Sequence, residues 1–238
     1  MKKIIQLITV IFVTSLLLGC DTYNKEEFKK SAQNMYDRVQ TDLKIKGNFC
    51  YYLGSIKFPY TDIPPLKEDT QWDGWNKEDL ANTLPLFAEI GLLTRQPVES
   101  EERLYHYDLT ELGQEYLYSF FNKTPSGDTI YNNAFCYGPI KVIKVRDVSE
   151  KTYEHGRYSN NETLVSVNID YQVVNTPEWV INNQDKLKAL YGSHYVFLPN
   201  VTYPETQLYI KGKDGKLYLE SWSYLLMKPS GKLLTDKE

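Results

Sequence analysis

Apolar positions are spaced differently along successive stretches of this chain, and the spacing marks out its elements. Ile4 to Leu18 form an almost unbroken apolar run behind Met1-Lys2-Lys3. From Asn24 to about Lys46 the apolar residues are Phe28, Ala32, Met35, Val39 and Leu43. Steps of three and four put them on one face of a helix, with lysines and acids opposite. A short strand is expected from Phe49 to Phe58, then a loop from Pro59 to Trp75 that carries the turn Trp72-Asp73-Gly74-Trp75. A second helix is predicted to start at Asn76, with Asp79 completing an imperfect capping box. It carries Leu80, Leu84, Phe87 and Ala88 and ends at Gly91, a residue suited to the left-handed C-cap. Thr110 is the expected cap of a third helix through Leu112, Tyr116, Leu117 and Phe120, and Lys123 to Asn133 reads as a linker or long turn.

Beyond that point the period changes to two. Ile140 to Val145 alternates in part. Val165, Val167, Ile169, Tyr171 and Val173 alternate strictly with polar residues, the signature of a half-buried strand. Pro177 and Trp179 open a short helix to about Leu190. Gln207–Ile210 and Lys216–Leu226 flank Lys213-Asp214-Gly215, whose Asp-Gly step favours a tight hairpin. The expected architecture is α+β: residues 1–19 as a signal, 20–123 as a helical region, and 134–228 as an antiparallel β-rich region with a short helix.

A basic start and an apolar run of this length form a secretory signal. A permanent span needs about 20 apolar residues, so the run is marginal as an anchor. It ends in Leu17-Leu18-Gly19-Cys20, which resembles the lipobox of bacterial lipoprotein signals. The resemblance implies cleavage before Cys20, a diacylglycerol on its thiol and acylation of the new amine. Several acyl chains are what stable anchoring takes, since each buried methylene contributes only about 0.8 kcal/mol. An ordinary cleavage site or an uncut anchor would also leave the remainder outside the cytoplasm, because Lys2 and Lys3 keep the amino end in. Asp21 resembles the inner-membrane retention signal of enteric lipoproteins. The expected place is the periplasmic side of a bacterial membrane.

Loss of residues 1–19 removes two lysines and no acid, so the net charge moves from −4 to −6. Such a chain is a poor polyanion binder. With Cys20 lipidated, Cys50 and Cys136 remain as an even pair in an oxidising compartment. They sit in twin settings, Phe49-Cys50-Tyr51 and Phe135-Cys136-Tyr137, and a disulfide is predicted, against the alternative of two buried free thiols. Twenty tyrosines beside nine phenylalanines suggest a partly wet aromatic surface on a β-containing protein.

Two further resemblances rest on specific residues. Leu84 to Leu93, followed by Tyr107-Asp108-Leu109-Thr110-Glu111-Leu112-Gly113, is similar to the helix, wing and helix of winged-helix domains. In that family the helix before the wing enters a DNA groove. Here that helix offers Glu78, Asp79 and Glu89 against Lys77, and the wing sets Glu99, Glu101 and Glu102 against Arg95 and Arg103. Phosphate contacts need lysine and arginine, so no nucleic-acid partner is expected. The succession of Phe49-Cys50-Tyr51, Gly91-Leu92-Leu93, Tyr107-Asp108-Leu109-Thr110 and Phe135-Cys136-Tyr137-Gly138 resembles uncharacterised lipoproteins of enteric bacteria, some labelled CpmJ. It implies no reaction.

His106, His155 and His194 have no second histidine or cysteine at ligand spacing, so neither metal nor cofactor is expected. No nucleophile elbow, P-loop or dinucleotide fingerprint occurs. Trp72 and Trp75, on a polar loop, are the candidates for partner binding; the alternative is that they cover the helical core. The functional expectation is a non-catalytic, membrane-anchored module that binds a protein, as an immunity or inhibitor factor or an envelope assembly factor. The alternatives are an envelope hydrolase with a carboxylate pair, and a binder of cell-wall glycan or a small molecule.

Overall fold

The structure is a computed structural model that describes residues 23–62, 71–99, 104–123, 127, 129–153, 162–219 and 225–227, with only the backbone path described for 71–79, 122, 152–153, 162 and 225–227. Helix α1 (Lys25–Leu43) begins at Asn24, whose side chain accepts from the Glu26 N–H, and buries Phe28, Ala32, Tyr36 and Val39 on one face. Full burial of side chains such as Phe28 and Val39 is worth roughly 1.5–3 kcal/mol each. Strand β1 (Phe49–Gly54) is buried along its whole length. Then come β2 (Tyr60–Thr61), α2 (Gln71–Ile90), β3 (Leu93–Pro97), β4 (Tyr105–Leu109), α3 (Glu111–Tyr116), β5 (Leu117–Lys123), β6 (Thr129–Tyr137), β7 (Ile140–Tyr153) and β8 (Glu162–Val173). The chain continues with α4 (Glu178–Ile181), α5 (Gln184–Tyr191), β9 (Thr202–Lys211), β10 (Leu217–Leu219) and β11 (Leu225–Met227).

The strands form three sheets, ordered β11-β1-β6-β5, β10-β9-β8-β7 and β2-β4-β3. All pairings are antiparallel except β1 with β11. A single buried cluster draws Phe49, Tyr51 and Tyr137 from the first sheet, Val167, Ile169 and Tyr171 from the second, and Phe28, Phe87 and Leu187 from the helices. The mixed helix and antiparallel sheet of the expectation are therefore present. The expected separation into a helical half and a β half is not, because β1, β5 and β6 lie within the stretch before Gly138. The third helix stops at Tyr116, and Leu117 to Lys123 is strand β5, paired residue by residue with β6. Much of the expected linker is thus strand. Leu117-Tyr118-Ser119-Phe120-Phe121 suits a pleated surface as well as a helix, and the partner strand decides between them.

Several local signals act as expected. Gly91, at φ 91°, ends α2 with the Leu92 N–H on the Phe87 carbonyl and the Gly91 N–H on that of Ala88. Thr110 caps α3 by accepting from the Gly113 N–H, and its hydroxyl also reaches the Gly91 and Leu92 carbonyls. Gly113 passes so close to Leu92 that a Cβ there would stand 2.0 Å from the Leu92 oxygen. The alternation in β8 holds, with Val165, Val167, Ile169, Tyr171 and Val173 all buried.

α1 packs along β7, an edge of the second sheet. The Gln33 amide substitutes there for a further strand: its Nε2 donates to the Ile140 carbonyl at 2.9 Å and its Oε1 accepts from the Val142 N–H at 2.8 Å. Asn48, 2% exposed, ties the helix end to the same strand. It donates to the Tyr36 carbonyl and accepts from Gln40 and the Ile140 N–H.

Candidate functional site

Cys50 and Cys136 lie directly opposite each other across β1 and β6 and form a disulfide, S–S 2.05 Å, with Cα atoms 4.0 Å apart. The twin motifs run antiparallel, so Phe49 faces Tyr137 and Tyr51 faces Phe135. The cysteines share one face of the sheet with Val39, Ile45 and Ala134, and all of these are buried. The aromatic partners turn to the opposite face and enter the main core. The disulfide is structural, placed where no solvent reaches it.

The other side-chain candidates from the sequence fare differently. Cys20 lies outside the described residues. Trp72 and Trp75 fall within α2, whose first turn begins at Gln71, so they occupy a helix rather than the expected turn; their side chains lie outside the description. The Asn76 capping signal is overridden because the helix continues five residues upstream of it. His106 is exposed on β4, its Nδ1 2.6 Å from the Thr61 hydroxyl. Among the described residues no group of three or more histidines, cysteines or acids is placed to hold a metal.

Two buried polar clusters deserve chemical scrutiny. Beneath Trp179, the rings of Tyr51, Phe87, Tyr116 and Tyr137 surround the indole at centroid distances of 5.5–6.4 Å. Tyr51 donates to the Tyr195 carbonyl, Tyr191 to the Tyr52 carbonyl, and Tyr137 accepts from the Phe197 N–H. Burial pushes the Tyr137 phenol up to about 12, so these hydroxyls are hydrogen-bonding groups rather than bases. The Trp179 Nε1 has no partner among the described residues. Between α1 and β9, Gln207 donates to the Tyr36 hydroxyl at 3.2 Å and accepts from Tyr209 at 2.9 Å. Tyr36 in turn is hydrogen-bonded to Glu205. Burial raises the Glu205 carboxyl above the usual range, opposed by its bonds from Tyr36 and Gln207. Asp62 is raised by burial too, opposed by the Tyr105 N–H and by Arg95, which lies 3.6 Å from the Tyr105 ring centroid. Among the described residues, neither carboxylate has a second acid among the groups that act on it.

Among the described residues, the most exposed apolar group lies on the β5–β6 hairpin. Phe121 and Tyr131 are directly opposed across the two strands and are 65% and 48% exposed; Ile130, the next residue on β6, is 40% exposed. Inward along the same face come Ser119 and Asn133, then Leu117 and Phe135. The Ser119 hydroxyl donates to Asn133 Oδ1 at 2.5 Å, and Asn133 Nδ2 donates to the Ile56 carbonyl at 2.6 Å. This hydrogen-bonded belt closes the core, whose last member here is the fully buried Phe135. Phe121 and Tyr131 lie outside it. Isolated exposed aromatics are ordinary, but Phe121 and Tyr131 are opposed on one face of the hairpin, while Ile130 turns to the other face; an opposed, exposed aromatic pair is the kind of feature that marks contact surfaces. Sequence periodicity missed it because the expected third helix ran through Phe120 and Ile130-Tyr131 fell in the expected linker. The usable signal was the bulky apolar doublets, Phe120-Phe121 and Ile130-Tyr131, on either side of Pro125-Ser126-Gly127.

Comparison with protein-family models, with curated proteins and with solved structures gives no match to this chain.

Proposed function

We propose that this chain is a lipid-anchored envelope protein, acylated at Cys20 on the periplasmic side of a bacterial membrane, that works by binding a protein rather than by catalysis. The exposed Phe121–Tyr131 pair on the β5–β6 hairpin carries the binding part of this reading. Aromatic side chains contribute large contact area for little lost rotamer freedom, and they dominate the energetics of protein contacts. The anchor part rests on the Leu17-Leu18-Gly19-Cys20 box. A winged-helix-like scaffold used without DNA belongs to this reading; the order α2, β3, β4 and Thr110-capped α3, and the excess of Glu78, Asp79 and Glu89 over Lys77, support it. Roles as an inhibitor, immunity or assembly factor all belong to this class.

The test uses the full-length protein in its own membrane. A photoreactive residue at Ile130 should yield a protein adduct, lost in Phe121→Ala/Tyr131→Ala at equal abundance. Loss instead in Trp72→Ala/Trp75→Ala would move the site to α2. Adducts to cell-wall glycan alone would overturn protein binding in favour of a glycan reader. Acyl chains on the tryptic N-terminal peptide, absent from Cys20→Ser, are the expected outcome for the anchor; an unmodified Cys20 thiol would refute it.

A further inference from the structure

The sheet edges of this protein are protected in different ways, with one exception among the described residues. β7 is covered by α1 and paired by the Gln33 amide. β10 and β11 are three residues each and β2 is two. β3 carries Arg95 and Pro97. The length of β9 that extends beyond β10 contains Pro204, opposite Asp170, whose missing N–H blunts that edge. β5 is different. It runs for seven residues, Leu117–Lys123, without proline, and its one charge is the terminal Lys123. Long uncharged edges template the addition of another strand, and proteins that do not use them block them.

The register states which β5 groups face outward. The 4.0 Å Cα separation of Cys50 and Cys136 is that of a non-hydrogen-bonded antiparallel pair. In β6 the backbone groups of Phe135 and Tyr137 therefore point to β1, and those of Ile130, Asn132 and Ala134 point to β5. Their opposites Asn122, Phe120 and Tyr118 bond inward. Ser119, Phe121 and Lys123 turn their N–H and C=O groups away from β6. The Leu117 N–H is taken by the Gly113 carbonyl, which leaves its oxygen outward.

We propose that a second copy of this chain occupies this edge, β5 against β5 in antiparallel register centred on Phe120, joining two four-stranded sheets into one of eight strands. This rests on the reading that the hairpin is the protein-binding surface, and it names the partner. The strand is its own complement in that register. Ser119 faces Phe121 of the second copy, so outward groups meet outward groups, and Lys123 faces Leu117. No like charges are opposed, and all seven residues overlap. The exposed Phe121 ring then packs beside the second copy's hairpin instead of standing in water. Two copies anchored to one membrane meet at raised local concentration, and a two-fold axis normal to the membrane puts both anchors on the same side.

Two copies of the full-length protein with different tags, one Ser119→Cys and the other Phe121→Cys, test this in the membrane. A mixed disulfide that forms only when both variants are present is expected. Detergent-solubilised wild type should sediment as a dimer. Phe121→Pro should weaken that dimer by roughly tenfold or more, because it removes an outward donor from each copy. The Phe121 N–H does not bond β6, so this variant keeps the hairpin, and retention of the Cys50–Cys136 disulfide with an unchanged near-ultraviolet circular dichroism signal checks the fold. A monomeric wild type with no mixed disulfide overturns the dimer. If the Ile130 probe then captures a different protein, the surface stands and the partner is foreign. If it captures none, both readings fall.

Discussion

Removal of the Cys50–Cys136 bridge should cost this protein a large share of its stability, and the cost should not depend on how many of the two cysteines are changed. The bridge joins residues 86 positions apart. For a closed loop of that length the chain-entropy model gives about 4–5 kcal/mol, and a domain is typically stable by only about 5–15 kcal/mol. Alanine is the right replacement, because both positions are fully buried beside Val39, Ile45 and Ala134, where a serine hydroxyl would add an unpaired polar group. Cys50→Ala and Cys136→Ala each break the same bond, and the thiol left behind is a small apolar group in an apolar site. Each single variant and the double should therefore lose about 4–5 kcal/mol plus a small packing cost. The cycle coupling should then be about −4 to −5 kcal/mol. Urea unfolding of the detergent-solubilised protein, followed by tryptophan fluorescence, measures this, with wild type under reducing conditions as a fourth arm. Additive losses, with the double variant down by twice either single, would refute the reasoning. So would a reduced wild type as stable as the oxidised one.

Other expectations follow from particular contacts. Glu205 has its carboxyl pKa raised by burial between α1 and β9. The folded state thus holds the proton more tightly than the unfolded chain, so its stabilising contribution is full below the ordinary glutamate pKa and is lost as pH rises through the folded value. Unfolding free energies from pH 4 to 8 should fall through that window in wild type and be flatter in Glu205→Gln; an identical slope in both would remove Glu205 as the cause. Gly113→Ala should destabilise by about 1–3 kcal/mol, because the added Cβ would fall 2.0 Å from the Leu92 oxygen and the α3 start must shift. A melting temperature equal to wild type would contradict that close approach. Gln33→Ala should cost about 1–3 kcal/mol by leaving the Ile140 carbonyl and Val142 N–H without their side-chain partners, and amide exchange at Val142 should speed up; unchanged exchange there would exclude the Gln33 pairing.

Much of the local structure was legible. α1, the Gly91 and Thr110 caps, the β8 strand and the Asp214-Gly215 turn each depend on contacts within a few residues, and Gly215 does take φ 76° between β9 and β10. The Cys50–Cys136 pair was legible for a different reason: the two share twin Phe-Cys-Tyr settings, and with Cys20 assigned to the expected lipobox, counting replaced geometry. The candidate site was not legible. Phe121 and Tyr131 are ordinary aromatics in the sequence, and only the pairing of β5 with β6 sets them side by side beyond the Ser119–Asn133 belt. Trp72 and Trp75 drew attention through composition, yet the helix start at Gln71 changes their setting.

The division follows from the range of the forces. By itself the sequence determined the amphipathic first helix, its caps and turns, the buried face of β8 and the identity of the disulfide partners, because periodicity and capping act over one or two turns of chain. The tertiary structure alone decided that Leu117–Lys123 is a strand, that Leu225–Met227 joins β1 in parallel, and that Glu205 is half-buried against Tyr36. Each of these depends on a partner distant in sequence, and the hydrogen bonds and burial that select it exist only after the chain has closed on itself.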